Sequence, residues 1–326
     1  MLLIAAGIGT WLSIHGGQPA TPPLYGAARS SPGAVWTWDG TRYTLSSAAA
    51  AGPSSNNADM AYDRSRGVTV LWDHGCASLV MGFQGGCLTQ VDRTWTWDGT
   101  SWTAYPGQSN PTAVGPGAMV FDSRLGQVVY VNGTGRAWHW TGSGWLSLSM
   151  PGGPNVPEPG SGIASSAFAA GYDEGRDLLV LVVSGGTWSW DGSRWTEVPG
   201  GIAVGNARED AHLVYDRANR QLVYVGSSAT WTWDGSRWQR HDQPAIAAGT
   251  AAYDGARATT MLIQPDTTVC DRTSCRTTTW TWNARTWTQV PVGGGPLLPL
   301  TRSGAFPIPM AFDEARGEMV MFVSSS

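Results

Sequence analysis

Thr94-Trp-Thr-Trp-Asp-Gly-Thr-Ser-Trp102 decides the reading of the whole chain. Trp95 and Trp97 stand two residues apart, so in a strand they share one face. Asp98-Gly99 accepts positive φ and reverses the chain in a tight turn. Trp102 then opens a second strand. The segment reads as a β-hairpin carrying three indoles, and the pattern recurs. W-x-W stands at Trp36/Trp38, Trp95/Trp97, Trp138/Trp140, Trp188/Trp190, Trp231/Trp233 and Trp280/Trp282. A second marker is an apolar run ending in an aromatic residue and Asp: Tyr62-Asp63, Phe121-Asp122, Tyr172-Asp173, Tyr215-Asp216, Tyr253-Asp254 and Phe312-Asp313. Each series has six members, with spacings of 38 to 59 residues, the range of propeller blades.

Each repeat reads as four strands. A short first strand such as Ala118–Asp122 turns into an apolar second strand such as Gln127–Val131. A variable loop leads to the W-x-W strand, and a tight turn leads to a fourth strand. That fourth strand carries Trp102, Trp145, Trp195, Trp238 or Trp287, with Tyr43 in the first copy. The first copy supplies only third and fourth strands, from Trp36 to about Leu45. The last supplies only the first two, Met310–Asp313 and Glu318–Val323. Joined, they make a sixth blade and close the ring, which removes the exposed sheet edges of an open stack. The expectation is an all-β chain: a six-bladed β-propeller of four-stranded antiparallel blades, the last shared between the two ends.

Seventeen of the 19 Trp belong to the repeat, leaving Trp11 and Trp72. Recurrence in every blade reads as packing between blades rather than as sugar-stacking platforms. Asp63, Asp173, Asp254 and Asp313 each precede an Arg by three residues, Arg66, Arg176, Arg257 and Arg316. A carboxylate that accepts turn N–H groups beside a guanidinium is structural chemistry.

Charged residues are 13% of the chain, Gly numbers 43 and the net charge is −4. That composition suits short strands and tight turns and carries no nucleic-acid footprint. All 20 basic residues are Arg. Residues 1–14, MLLIAAGIGTWLSI, are apolar but short of the roughly 20 residues a membrane span needs. They read as the apolar region of a signal peptide, or as an N-terminal anchor and the one route to a membrane tether. The expected organisation is a leader or anchor plus linker over 1–30 and the propeller over 31–326. Four cysteines fall into two local pairs, which predicts disulfides Cys76–Cys87 and Cys270–Cys275 and an oxidising, extracytoplasmic compartment. The rival zinc reading lacks C-x-x-C spacing.

The pattern resembles the bacterial kelch-like proteins often named for galactose oxidase. The resemblance rests on the strand ending Ser184-Gly185-Gly186, the Trp pair and fourth-strand Trp that follow, and Arg208-Glu-Asp-Ala-His212, and it covers roughly residues 36–323. The oxidase resemblance implies a copper site with Tyr and His ligands. The histidines here, His15, His74, His139, His212 and His241, show no recurring ligand spacing, so no metal and no cofactor are expected.

Loops that differ between repeats are where contacts can be added to a rigid ring. The candidates on that loop face are Trp72, Asp73, His74, Asp92, Arg93, Arg208, Glu209, Asp210, Asp266 and Asp271, with Trp72 expected to place its ring there. No catalytic set stands out. The expected function is a non-catalytic extracytoplasmic binding propeller, monomeric, with a protein or glycan partner. The alternatives are a lectin-type propeller and a carbohydrate-active oxidase or hydrolase.

Overall fold

A computed structural model describes residues 34–46, 52–53, 57–74, 76–79, 87–90, 92–106, 110–111, 117–154, 168–203, 211–226, 229–241, 249–301, 304–305 and 308–323. Residues 1–33, and with them the leader or anchor expectation, lie outside this set. The described residues form six blades, each a four-stranded antiparallel sheet, and contain no helix. Blade 1 comprises Ala58–Asp63, Val68–Asp73, Arg93–Trp97 and Trp102–Pro106. Blade 2 comprises Gly117–Asp122, Gln127–Asn132, Ala137–Trp140 and Trp145–Leu148. Blade 3 comprises Phe168–Asp173, Leu178–Val183, Gly186–Trp190 and Trp195–Glu197. Blade 4 comprises His212–Asp216, Gln221–Val225, Thr230–Trp233 and Trp238–His241. Blade 5 comprises Thr250–Asp254, Thr259–Cys270, Ser274–Trp282 and Trp287–Val290. Blade 6 comprises Met310–Asp313, Glu318–Val323, Ala34–Trp38 and Tyr43–Ser46. The innermost strands touch in the order of the blades, and the last returns to the first. The protein is a closed six-bladed β-propeller.

Closure occurs inside blade 6, where Val35 pairs with Phe322 and Trp36 with Met321. Both segments are hydrogen-bonded on their two edges, so the ends of the described chain leave no open edge at the seam.

Six apolar clusters fill the six gaps between blades. In each gap the W-x-W pair of one blade packs against the blade before it. The second Trp of every pair is buried, while the first is buried only at Trp36 and Trp95. The fourth-strand aromatic sits directly opposite that second Trp across the tight turn, with ring centroids 4.7–6.1 Å apart in all six blades. Truncating one such ring removes apolar contact from two sheets at once.

The turns after the first strand do more than close blades. Asp63 accepts the N–H groups of Ser65 and Arg66 and pairs with the Arg66 guanidinium at 2.8 Å, and the motif repeats at Asp173, Asp254 and Asp313. The same Arg, or in blade 2 Arg124 two residues after Asp122, then reaches the tight turn of the next blade. Arg66 donates to Thr141 O at 2.6 Å, Arg124 to Asp191 O and Arg176 to Asp234 O. Arg257 and Arg316 lie against Gly40 and Gly99, where a Cβ would overlap the guanidinium. Those glycines therefore serve twice, for positive φ and for the close approach of Arg. The exception is instructive. Blade 4 has Asn219 in place of the Arg, and the next tight turn carries Ala284, at φ 70°, in place of Gly.

Tyrosines of the aromatic-Asp marker latch neighbouring blades. Tyr62 accepts the Ala315 N–H at 3.2 Å, Tyr253 accepts the Ala218 N–H at 3.0 Å, and Tyr215 accepts the Gly175 N–H. The marker that identifies the repeat is thus an inter-blade contact.

One expectation changes. The stretch carrying Asp266 and Asp271, expected as a variable loop, is instead largely strand: the second and third strands of blade 5 run on as a ladder through it, with Gln264 opposite Thr278 and Cys270 opposite Cys275. The β-branched run Thr277–Thr279 supports strand, and the Cys270–Cys275 bridge holds the tip.

Candidate functional site

All turns between first and second strands, and between third and fourth, lie at one end of the ring. The remaining connections lie at the other, the loop face. At the loop end of blade 1, off-repeat polar residues converge from three strands and from the neighbouring blade. Asp59 is opposite Trp72 on the first two strands, and Asp73 is opposite Arg93 on the second and third. The His74 N–H donates to Asn57 O, which ties the strand end across.

Trp72 is 1% exposed, so its ring is no platform on the loop face. It occupies the buried position filled by Val131, Val182, Val225, Ile263 and Phe322 in the other blades. There it packs edge-on against Tyr130 of blade 2, 4.6 Å between centroids, while its indole N–H donates to Asp92 at 2.9 Å. Burial supplies the physical reason for the difference: an apolar strand end facing a neighbouring sheet accepts a large ring when one edge of the ring finds an acceptor.

His74 lies 4.3 Å from the Trp72 ring and its side chain is 8% exposed. Its Nε2 is 2.9 Å from Asp59 Oδ2, and its Nδ1 is 3.4 Å from the Asn57 amide nitrogen. The amide nitrogen can only donate. Nδ1 therefore accepts, and Nε2–H donates to Asp59. Both ring nitrogens have partners within the protein, Nε2 at 2.9 Å and Nδ1 by the longer contact. The Tyr130 hydroxyl is buried and has no hydrogen-bond partner among the described residues; burial and the Asp59 charge push its ionisation up.

Of the other candidates, Asp73 is wholly buried at the strand end, and Asp92 and Arg93 are exposed, with the Arg93 guanidinium 5.7 Å from the Trp95 ring centre. Asp266 and Asp271 sit apart from this group on the blade 5 hairpin, where each accepts turn N–H groups, from Thr268 and from Thr273 and Ser274. The bonds from the Thr273 backbone and hydroxyl hold the Asp271 carboxyl below its ordinary range. Arg208, Glu209 and Asp210 lie outside the described residues. Cys270–Cys275 is a disulfide. For Cys76–Cys87 only the backbone is described, a short hairpin of Cys76–Leu79 and Cys87–Gln90, so that bridge lies outside the described side chains. The structure adds Asp59, Asn57 and Tyr130. Asp59 was legible: four residues before the marker Asp the other repeats carry Ala118, Ala169, His212, Thr250 and Pro309, and only here an acid.

A second polar group meets near the axis at the turn face. The residue after each marker Asp is Arg64, Ser123, Glu174, Arg217, Gly255 and Glu314 around the ring. The four charged ones meet. Arg64 pairs with Glu174 at 2.5 Å and with Glu314 at 2.7 Å. Arg217 pairs with Glu174 at 3.1 Å and also with Glu314. The same four side chains line an open cavity of about 160 Å³ together with Tyr62, Phe121, Tyr172, Tyr215, Tyr253 and Phe312. Reading blade by blade, the order Arg, small, Glu occurs twice, so the quartet has an approximate two-fold axis. Among the described residues no group of three or more His, Cys, Asp or Glu could hold a metal ion.

No family model matches the chain, and no curated protein matches it. Solved structures do. The ring is similar to a Bacteroides thetaiotaomicron protein of unknown function, at 9% identity and TM-score 0.51 over 89% of this chain and 76% of that one. It is similar to the SapL1 lectin in complex with alpha methyl fucoside, at 16% identity and TM-score 0.47 over 80% and 96%. A structure of the nidogen/laminin complex matches at 10% identity and TM-score 0.45 over 76% and 88%. At such identities the likeness concerns the fold alone.

Proposed function

We propose that the chain is a non-catalytic binding propeller whose ligand docks on the loop face at the end of blades 1 and 2, over Asn57, Asp59, Asp92 and Arg93. The observation that carries this reading is the group of off-repeat polar side chains gathered at that strand end, Asn57, Asp59, His74 and Asp92. His74 is the one described imidazole beside a carboxylate in that group. It orients the Asp59 carboxylate. The side chains left facing solvent there are acceptors, an amide and one guanidinium, the equipment of recognition.

The export reading goes with this. The Cys270–Cys275 bridge favours an extracytoplasmic protein with residues 1–30 as leader or anchor and a monomeric ring. We further read the chain as a divergent member of the kelch-like propellers, on the Trp pairs and the Arg208–His212 stretch. The lectin alternative keeps the acceptor carboxylates but loses its ring platform, since Trp72 is buried.

The test is a screen of the purified full chain on a glycan array and a peptide array, repeated with Asp92→Ala and Arg93→Ala. A ligand whose binding falls at least about tenfold with either variant, the loss of one charged hydrogen bond, supports the reading. Turnover of a sugar substrate, or a ligand indifferent to both substitutions, overturns it.

A further inference from the structure

The axial quartet lies at the end of the ring opposite the loop face and takes no part in binding there. Arg64, Glu174, Arg217 and Glu314 come from blades 1, 3, 4 and 6, and their side chains are 22–33% exposed. Every turn at this end is among the described residues, and both ends of the described chain, Ala34 and Val323, pair at the loop end. The ion pairs do not exhaust the polar atoms of the quartet. Each glutamate receives both guanidinium groups on Oε1, and each arginine gives Nε and Nη2. Glu174 Oε2, Glu314 Oε2 and the Nη1 of both arginines have no partner among the described residues. The rest of the lining is apolar. Tyr62, Tyr215 and Tyr253 each accept a backbone N–H from a neighbouring turn, and the Tyr172 hydroxyl donates to Asp177. With the hydroxyls bonded to turns, the rings line the cavity beside Phe121 and Phe312. Val120, Gly171, Leu213 and Ala252 precede the marker Asp on inner strands that run toward this end, so they stand deeper along the axis than the charges, which follow it.

A cavity of about 150 Å³ holds one benzene ring, so this open cavity of about 160 Å³ takes a single ring with its polar head at the rim. Positive and negative heads alternate around that rim. An ion of either sign therefore meets as much repulsion as attraction, whereas a ligand that carries both charges finds an opposite partner for each. We propose that the turn-face cavity is a binding site for a small zwitterion bearing one apolar ring, the chemistry of an aromatic α-amino acid. The ring enters between the tyrosines and phenylalanines, the ammonium donates to Glu174 or Glu314 Oε2, and Nη1 of Arg64 or Arg217 donates to the carboxylate. Charge-assisted hydrogen bonds are about twice as strong as neutral ones, so such a head is preferred over the hydroxyls of a sugar. Glu174 faces Arg64, Arg217, Glu314 and its neighbour Asp173, and burial raises its carboxyl, opposed by Arg64. A carboxyl raised in the folded protein binds its proton more tightly than in the unfolded chain. A protonated Glu174 is a weaker acceptor for an ammonium, so binding is measured at about pH 8, well above the ordinary carboxylate range.

The probe is L-phenylalanine, titrated into the full chain and followed by ligand-observed NMR, against phenethylamine, hydrocinnamate and methyl α-glucoside. With about a dozen non-hydrogen atoms, L-phenylalanine should bind with a millimolar Kd. Phenethylamine and hydrocinnamate, each lacking one charge, should bind at least about tenfold more weakly, as loss of a charged hydrogen bond requires. Glu174→Gln with Glu314→Gln keeps the shape of the rim and releases both guanidinium groups from their carboxylates. The order should then reverse, with hydrocinnamate binding more tightly than L-phenylalanine, whereas a merely structural loss weakens both and reverses nothing. Ala252→Leu, which narrows the cavity and changes no charge, should abolish binding of L-phenylalanine. Melting curves confirm that the variants fold, and Glu314→Gln alone serves if the double variant does not. The site is overturned by absence of saturable L-phenylalanine binding below about 50 mM, by a one-charge analogue or the glucoside binding as tightly, or by an order that Gln substitution leaves unchanged.

Discussion

The two faces of the ring follow opposite rules. On the turn face one device recurs: Asp holds its turn, Arg crosses to the next blade, and Gly makes room for it. On the loop face, among the described residues, no such device recurs, and blade 1 gathers Asp59, His74, Trp72 and Asp92. Repetition marks residues that every blade needs in order to pack on its neighbour. Departure from repetition marks residues that packing does not require, which are free to recognise something else. The turn between blades 4 and 5 sharpens the rule, because Arg and Gly are lost together there.

The largest effect should come from the closure. Deleting residues 34–46 strips one edge from Glu318–Val323 and leaves the ring open, so the cooperative thermal transition should disappear. A chain that still melts cooperatively without these residues would break the claim that blade 6 is shared.

Next, Trp97→Ala and Trp72→Ala should cost comparable amounts, about 3–5 kcal/mol each in urea unfolding, although one belongs to the repeat and the other does not. A much smaller loss at Trp72 would return its ring to the loop face. Reducing Cys270–Cys275 should cost about 2 kcal/mol, the entropy of a short closed loop, with near-UV Trp signals retained. Loss of those signals would show that the bridge supports the ring and not only the hairpin tip.

A smaller contrast tests the Arg–Gly pairing. Gly235→Ala places a Cβ at φ 95° against Arg176 and should cost roughly 1–3 kcal/mol. Ala284→Gly should change stability by less than about 1 kcal/mol, because relief of strain is offset by added freedom in the unfolded chain. Equal effects at the two turns would separate Gly from the Arg clamp.

The smallest effect concerns pH. Hydrogen bonds from Thr41, Ser193 and Ser236 hold Asp39, Asp191 and Asp234 at about 2. Depressed carboxyls contribute stability that is present above their ordinary value and lost as pH falls through the folded one. Melting temperature should therefore hold from neutrality down to about pH 4 and drop only between there and about pH 2. Proton uptake by Glu174 works the other way at the upper end of that range. A steep loss near pH 6 would contradict both directions.

Much of this was legible in the residues. Blade number, strand order and the shared blade follow from counting W-x-W and aromatic-Asp markers, because a repeated packing interface must repeat its side chains. The structural character of the turn aspartates was legible for the same reason. Trp72 was misread because its strand position is filled elsewhere by smaller apolar residues, so only the burial of that position shows that the ring replaces Phe322's kind of contact. Asp59 was legible as the one acid at its repeat position, whereas the quartet escaped because each of its members is an ordinary turn residue within its own repeat.

What the chain determined alone is the ring: period-two strands, tight turns and complementary half-blades admit one closed arrangement. What only the tertiary structure decided is which non-equivalent residues meet. Arg64, Glu174, Arg217 and Glu314 are scattered over 250 residues of chain, and His74 finds Asp59 across a blade. Closure brings such side chains to a common axis or strand end, and no local pattern encodes that distance.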